Sequence, residues 1–598
     1  MTVKERLAAL RAVMAQKKVD ALIVPTADFH QSEYVGDYFK ARAWLSGFTG
    51  SAGTLVVMAD WAGLWTDGRY FIQAERQLAG SGIELCRMGV EGVPTESEYL
   101  LANLKEGQTL AFDGRVLPGS EGEMLCRELA KKGVSVDCSK DFPGMIWTDR
   151  PAMSCTPAFL LEEKYAGRSA AEKLSDVRRV MADRGASAHL LTTLDDIAWL
   201  LNIRADDVAC TPVLLSYALV TMDQALLYVN PDAISEEVKA GLKASGIALR
   251  PYEGIYEAAE ELAGETVLLN GKKVNYALYS ALQERASIVD EANPEQLMKA
   301  VKNETEVANL RLSHIRDGVA FTKFMYWLKN SVGRVKMRIT ESSAAEYLED
   351  RRREQPGFIE PSFTTISAYG PNAAMMHYSA TPESDADLLP EGLYLVDSGG
   401  QYYEGTTDIT RTMALGPVPD EQKKHFTAVC RSVLALQNAV FLEGCRGINL
   451  DILARGPIWE MGIDYRCGTG HGVGYLSGVH EAPNGFRWKI VPERNDSAVL
   501  EPGMVTTDEP GVYIEGSHGI RTENELLCVA GEKNEYGQFL HFECLTFAPI
   551  DLDAIDPQYL SEREKGWLNA YHKEVFEKLS PYLTGDETEW LRKYTRAI

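Results

Sequence analysis

Leu393-Tyr-Leu-Val-Asp397-Ser-Gly-Gly400, with the Gly405-Thr-Thr-Asp408-Ile-Thr-Arg-Thr412 that follows it, is the stretch on which the reading of this chain turns. Leu393–Asp397 is a short apolar strand, Ser-Gly-Gly is turn material, and Asp408–Met413 is a second strand. The pattern predicts a hairpin that presents two aspartates from paired strands, a rigid base for metal ligation. Three further glycine-punctuated segments continue the theme: GTGHGVGYLSGVHE around His471, TTDEPGVY around Glu509 and HGIRTENELL around Glu523. Asp397, Asp408, His471, Glu509 and Glu523 together form an oxygen-rich, hard ligand set. Such a set suits paired Mn²⁺, Co²⁺ or Zn²⁺ better than a structural zinc that prefers thiolates. One bridging carboxylate can hold two cations about 3.5–4 Å apart, with a water between them acidified enough to attack a carbonyl at neutral pH. The chemistry expected is hydrolysis.

Around these segments the helical periodicity places helices at roughly Glu421–Leu442 and Leu450–Met461. A long helix over Lys302–Asn330 opens this half, with Ala308, Leu312, Ile315 and Val319 on one face. The alternation predicts an α+β domain, a curved sheet wrapped by helices. From about residue 545 a helical tail rich in Glu, Lys and Trp follows, expected to dock on the catalytic domain or a partner subunit.

The first half repeats itself. Leu10–Val24 aligns with Val177–Leu191, each an amphipathic helix running into a buried strand, and Ala43-Trp-Leu45 aligns with Ala198-Trp-Leu200. The first copy carries about twelve extra residues around Asp28–Tyr34. Two copies of one α/β unit, at about 1–155 and 156–300, precede a catalytic unit at 301–598.

Bulk properties exclude several classes of function. The 598-residue chain is 45% apolar and 25% charged, ordinary for a soluble globular protein. A net charge of −25 repels nucleic acid and anionic membranes, and Arg351–Arg353 is too small a basic cluster to reverse that. The longest apolar runs, such as Ala21–Pro25 and Val213–Val220, are strand-sized, far below the ~20 residues of a membrane span. The N-terminus mixes its charges into an amphipathic helix (Val3, Leu7, Leu10, Met14) rather than a signal peptide, so a cytoplasmic protein is expected. Ten scattered cysteines without CxxC pairs form neither a disulfide framework nor a zinc ribbon.

Taken singly the motifs are weak. Asp397-Ser-Gly reads equally as a turn in which Asp bonds its own backbone, and Asp508-Glu-Pro-Gly511 as a solvated one. Gly468–Gly474 resembles a phosphate loop but lacks the Gly-Lys-Ser/Thr ending. Their order and flanks are more telling. The series Asp397, Asp408, His471, Glu509, Glu523 resembles the pita-bread metallopeptidases: methionine and proline aminopeptidases, prolidases and creatinase. The fuller resemblance, over nearly the whole chain, is to the long three-domain Xaa-Pro aminopeptidases. Leu45–Gly53 and Trp65–Phe71 are similar to that family's first domain, Leu194–Arg204 to its second, and His314–Ala320 to the opening of its third. The resemblance implies two similar creatinase-like N-terminal α/β domains before a pita-bread catalytic domain, and explains the repeat.

The same resemblance implies roles. Asp397, Asp408 and Glu523 would hold one metal, and Asp408, His471, Glu509 and Glu523 the other, with Mn²⁺ the expected ion. Glu509 would shuttle protons beside the metal-activated water. His377 and His480 would hydrogen-bond the substrate carbonyl and its developing oxyanion. Arg69 would contact substrate and Tyr513 would line a proline pocket. An Xaa–Pro bond has no N–H to recognise, so selection must come from a pocket shaped to the pyrrolidine ring. A homodimer, with no nucleic-acid or membrane partner, is expected.

One departure stands in this sequence. The family usually has a histidine four residues before the metal histidine, where this chain has Cys467. Either a non-ligand position tolerates the thiol, or the thiol alters substrate contacts and makes activity sensitive to oxidation. Two other functions compete with the aminopeptidase. A prolidase would accept only Xaa-Pro dipeptides, and usually carries one N-terminal domain. An inactive peptide-binding module would have lost ligands that are all present here.

Overall fold

The computed structural model describes residues 1–491 and 494–598, and the chain divides into two compact units. The first comprises Met1–Leu161 with Arg168–Glu295, the second Glu162–Gly167 with Gln296–Ile598.

In the first unit the helix Val3–Lys17 starts at a capping box between Thr2 and Glu5 and ends where Lys18 turns left-handed. It buries Leu7, Leu10 and Met14 and feeds the strand Ala21–Pro25. That strand is central to a six-stranded sheet, antiparallel to Thr54–Met58 and parallel to Thr109–Ala111. A second six-stranded sheet repeats the arrangement around Ala188–Leu191, antiparallel to Ser216–Thr221 and parallel to Thr266–Leu269. Both central strands are covered on both faces, which is why they read as unbroken apolar runs rather than alternating ones. The extra Asp28–Tyr34 segment ties the two sheets' lobes together. Buried His30 reaches the Thr192 carbonyl at 2.9 Å and the Tyr252 hydroxyl at 2.7 Å.

The second unit is built on the 28-residue helix Glu304–Ser331 and several curved sheets. A six-stranded sheet runs Val440–Leu442, Gly537–Cys544, Asn524–Asn534, Val505–Asp508, Gly470–Gly472, Glu481–Phe486. A three-stranded sheet joins Ile366–Tyr369, Leu393–Ser398 and Ile409–Ala414, and Gly511–Ile514 with His518–Arg521 forms a separate hairpin. Helices Asp420–Gln437, Gly447–Trp459, Glu562–Leu579 and Gly585–Tyr594 enclose one apolar core. The tail's Trp590, Leu591 and Tyr594 belong to that core, so the tail docks on its own unit.

Two local expectations change. The helix anticipated to Leu442 stops at Gln437, and Val440–Leu442 becomes an edge strand paired with Phe539–His541. An apolar run that continues past a helix end carries no periodic mark of the change. The expected hairpin strands do pair, with Asp397 opposite Thr410. The residues between them, however, form two short strands, Gly400–Tyr402 and Gly405–Thr406, in another small sheet with Phe358–Pro361. Among the described residues no helix is long and apolar enough to cross a membrane.

Candidate metal centre

Five segments from two sheets and a hairpin end converge on one buried point. Asp397 ends the strand Leu393–Ser398, and Asp408 immediately precedes its partner Ile409–Ala414. His471 lies on Gly470–Gly472, and Glu509 directly follows Val505–Asp508. Glu523 sits where the chain leaves His518–Arg521 for Asn524–Asn534. The strands bearing His471 and Glu509 are so close that a Cβ on Gly470 would lie 1.8 Å from the Thr507 carbonyl oxygen; only glycine fits there.

Donor atoms of Asp408, His471 and Glu523 all lie within 4.8 Å of one another. His471 Nε2 is 3.4 Å from Asp408 Oδ2 and 3.4 Å from Glu509 Oε1. Its Nδ1–H donates to the Gly472 carbonyl at 2.9 Å, which leaves Nε2 as the nitrogen for a cation. Asp397, Asp408 and Glu523 are nearly or fully removed from solvent. Burial, then the charges of Asp397 and Glu509, push the Asp408 carboxyl up to about 6 although its hydrogen bond with His471 pulls it back. Burial, then Asp408, hold Glu523 well above the carboxylate range. Burial opposes charge on His471, but Asp408 and Glu509 outweigh it and raise the imidazole to about 9.

Whether cations fit can be judged from unsatisfied atoms. Asp397 Oδ1 and Asp408 Oδ1 are buried and accept no hydrogen bond. A buried acceptor without a partner costs about 1–3 kcal/mol, more when charged. The other oxygens are held from behind: Arg521 Nη2 donates to Asp397 Oδ2 at 2.5 Å, and Thr410 Oγ1 to Glu523 Oε2 at 2.7 Å. Thr507 Oγ1 donates to Glu509 Oε1 at 3.1 Å. Four carboxylates around one imidazole, three of them steadied by a donor from behind and two with a bare buried oxygen, fit divalent cations.

The remaining expected site residues fall as follows. The His480 ring stands edge-on to His471, with centroids 4.2 Å apart. Tyr513 Oη accepts from Arg521 Nη1 at 2.7 Å, so it shares an anchor with Asp397. His377 follows the turn Gly370–Ala374, and the carbonyl of its neighbour Met376 lies 3.5 Å from Arg521 Nη2. Arg69 belongs to the first unit, where its guanidinium grips Asp67 through two contacts of 2.8 and 2.7 Å. Cys467 is partly buried; burial and then Glu509 push its thiol up to about 12, which keeps it protonated and slow to oxidise at neutral pH.

Sequence reading missed the supports. Arg521 contacts Asp397, Thr410, Tyr513 and Met376 at once. Glu525 Oε1 accepts the Asp408 backbone N–H at 2.6 Å and lies 3.1 Å from His314 Nε2. Alternation was the available signal: Arg521, Glu523 and Glu525 are two apart, so they share one side of an extended chain.

Family models describe the chain end to end. Residues 308–530 match metallopeptidase family M24, and 538–598 match the C-terminal region of that family's peptidases. Residues 6–147 and 149–306 each match a creatinase/prolidase N-terminal domain. The chain belongs to metallopeptidase family M24, with two creatinase-like domains before a pita-bread domain. A probable Xaa-Pro aminopeptidase P of Sordaria macrospora is 39% identical over 99% of this chain and 98% of its own. Aminopeptidase P2 of Arabidopsis thaliana is 40% identical over 100% of this chain and 89% of its own. The crystal structure of an X-prolyl aminopeptidase from Caenorhabditis elegans, a cytosolic enzyme with a di-nuclear active site, matches with a TM-score of 0.94 at 32% identity, covering 100% of both chains. These relatives, matched over nearly the whole of this chain, carry the names Xaa-Pro aminopeptidase P, aminopeptidase P2 and X-prolyl aminopeptidase.

Proposed function

We propose that this protein is a metal-dependent aminopeptidase that releases the N-terminal residue from peptides with proline in second position. The observation that carries this reading is the convergence of Asp397, Asp408, His471, Glu509 and Glu523, with two bare buried carboxylate oxygens, in a chain that matches Xaa-Pro aminopeptidases P over its whole length. Asp397, Asp408 and Glu523 would hold one divalent cation and Asp408, His471, Glu509 and Glu523 a second. When bound, such cations acidify a water and polarise the scissile carbonyl. The hard donor set favours Mn²⁺ among the candidates.

The protein's own groups do the rest. Hydrolysis puts oxygen on the carbonyl carbon and one proton on the prolyl nitrogen. Glu509 accepts that proton from water and returns it to the departing nitrogen, its carboxylate steadied by Thr507. His480 and His377 donate to the carbonyl oxygen as it gains charge. Tyr513, fixed by Arg521, forms a wall for the pyrrolidine ring.

The chief alternative is an Xaa-Pro dipeptidase. The dipeptidase of Bacillus anthracis, at 25% identity, is covered over 99% of its own chain but accounts for only 64% of this one (TM-score 0.51). Two N-terminal lobes and the end-to-end relatives favour the aminopeptidase. We further propose a cytoplasmic enzyme, given ten unpaired cysteines, and a homodimer. Ile452, Leu453, Trp459, Trp488 and Ile490 are all exposed on the catalytic unit, with the Trp459 and Trp488 rings 6.1 Å apart, and form the surface for it.

Hydrolysis of Arg-Pro-Pro, Arg-Ala-Ala and Ala-Pro, after chelation and again with Mn²⁺, tests the activity. Metal-dependent release of arginine from Arg-Pro-Pro alone supports the aminopeptidase. Cleavage confined to Ala-Pro makes it a dipeptidase, and no cleavage with any metal overturns both.

A further inference from the structure

Glu341 is the first residue of the helix Glu341–Arg353 and is fully buried, yet no lysine or arginine pairs with it among the described residues. A buried carboxylate without a cation needs a full set of donors, and all of these donors come from one stretch, residues 369–386. Oε1 accepts from the backbone N–H of Tyr369 at 2.6 Å and from Asn372 Nδ2 at 3.0 Å. Oε2 accepts from the Tyr378 hydroxyl at 2.8 Å and from the backbone N–H of Ala386 at 3.0 Å. The backbone N–H of Glu341 donates in turn to the Ala386 carbonyl at 3.0 Å. Both ends of the segment and a side chain near its middle thus close on one carboxylate.

His377 lies inside that closed segment, directly before Tyr378. Directly before His377, the Met376 carbonyl meets Arg521, whose Nη2 also holds Asp397. The histidine is therefore bracketed. Glu341 fixes it on one side through Tyr378, and Arg521 ties it to the metal-ligand cluster on the other.

We propose that Glu341 is a positioning residue for His377: it fixes the segment so that the imidazole is presented to the substrate carbonyl. The assignment rests on the role given to His377 above. Glutamine at 341 keeps the shape but turns an NH₂ toward one pair of donors, which frees one end of the segment. Tyr378→Phe deletes a single hydroxyl and keeps the ring.

A double-mutant cycle with Mn²⁺-loaded enzyme and Arg-Pro-Pro tests the idea. We expect Glu341→Gln to lower kcat about 10- to 100-fold, the scale of loss from a misplaced catalytic group, with KM changed less than about threefold. Tyr378→Phe should give a smaller loss of the same kind. In a His377→Ala background neither substitution should lower kcat further, because the group they position is gone. If both cost as much there as in the wild type, Glu341 acts on the fold or on the metals, and the proposal fails. If His377→Ala alone leaves kcat unchanged, the role of His377 fails instead, a distinct result. Should Glu341→Gln not fold, Tyr378→Phe carries the same cycle.

Discussion

Arg521 offers the most demanding test of how this centre is held. Its guanidinium is buried and donates to Asp397 Oδ2 at 2.5 Å, to Tyr513 Oη at 2.7 Å and to Thr410 Oγ1 at 3.2 Å. Thr410 passes the restraint on to Glu523 at 2.7 Å. Two of the proposed ligand carboxylates are thus aimed by one guanidinium. Replacing Arg521 with methionine leaves the methylene packing but strands Asp397 Oδ2, and breaking a buried ion pair from one side costs about 3–5 kcal/mol. Because the freed Asp397 is no longer aimed at the cations, the loss should be larger in Mn²⁺-loaded than in chelated protein, by the linkage of metal affinity to stability. Removing such an outer contact of a ligand should also weaken metal binding about 10- to 100-fold.

Arg521→Lys separates charge from geometry. Lysine keeps the positive charge, but a single ammonium cannot serve Asp397, Thr410 and Tyr513 from a flat fork. Activity measured across Mn²⁺ buffers, with metal content after dialysis, gives the apparent affinity; thermal unfolding with and without chelator gives the stability difference. We expect Arg521→Lys to lose most of the affinity that Arg521→Met loses. A lysine variant indistinguishable from wild type would refute the fork argument, and a methionine variant with normal manganese affinity would refute the whole account.

Other outcomes follow from single contacts. His572 is buried and accepts the backbone N–H of Ile550 on Nε2 at 3.1 Å; burial, then Arg411, lower its pKa to about 3. Below pH 6.5 the unfolded chain takes up a proton that the folded chain refuses, so stability is complete above 6.5 and falls toward 3, by about 2 kcal/mol at pH 5. Denaturant titrations at pH 7 and 5 should show that difference shrink in His572→Gln; an unchanged difference would assign the pH dependence to other groups. At Gly519 an added Cβ would sit 1.7 Å from the Ala373 carbonyl oxygen, a backbone clash that no rotamer relieves. Gly519→Ala should therefore destabilise by about 1–3 kcal/mol or more and lower kcat, since Ala373 lies within the segment that carries His377. Wild-type melting and kcat in that variant would show the hairpin to be free to move aside.

The five proposed ligands were legible because each lies on or beside a short strand next to glycine or a turn, where chemistry and chain direction are both marked. The repeat was legible for a similar reason, since helix and buried strand leave two different periods in the sequence. Glu341 was not. Ile339-Thr-Glu-Ser-Ser-Ala-Ala345 reads as a capped helix start with a solvated acidic first turn, and Thr340 does cap it. What the pattern cannot display is a segment some thirty residues later folding over that turn and burying it. Arg521 was hidden in the same way. Its partner Asp397 is more than a hundred residues earlier in the chain, and only the charge of the assembled centre makes an arginine necessary. The edge strand at Val440 escaped because helix and strand were both apolar there.

Charge arithmetic links the centre to folding. Asp397, Asp408, Glu509 and Glu523 bring four carboxylates together, and the protein itself offers His471 and Arg521 against them. Without cations, burial and mutual repulsion raise Asp408 to about 6 and hold Glu523 well above its ordinary value. These carboxyls then keep protons in the folded chain at pH values where the unfolded chain has released them. The unfolded state binds fewer protons in that window, so stability must fall as pH rises from about 4 through 6 on Asp408, and from 6.5 toward 9 on His471, whose imidazole the same carboxylates raise to about 9. Divalent cations reverse the term, because they bind the ionised forms. Chelated protein should therefore melt progressively lower than Mn²⁺-loaded protein as pH increases from 5 to 8. The slope separates this from simple ligand stabilisation at fixed pH. Comparing the gap in wild type with that in Asp408→Asn, which removes one of the raised carboxyls, isolates its source. If chelated wild type and chelated Asp408→Asn lost stability equally with rising pH, the buried carboxylates would not be the cause, and the metals would have to stabilise the fold by another route.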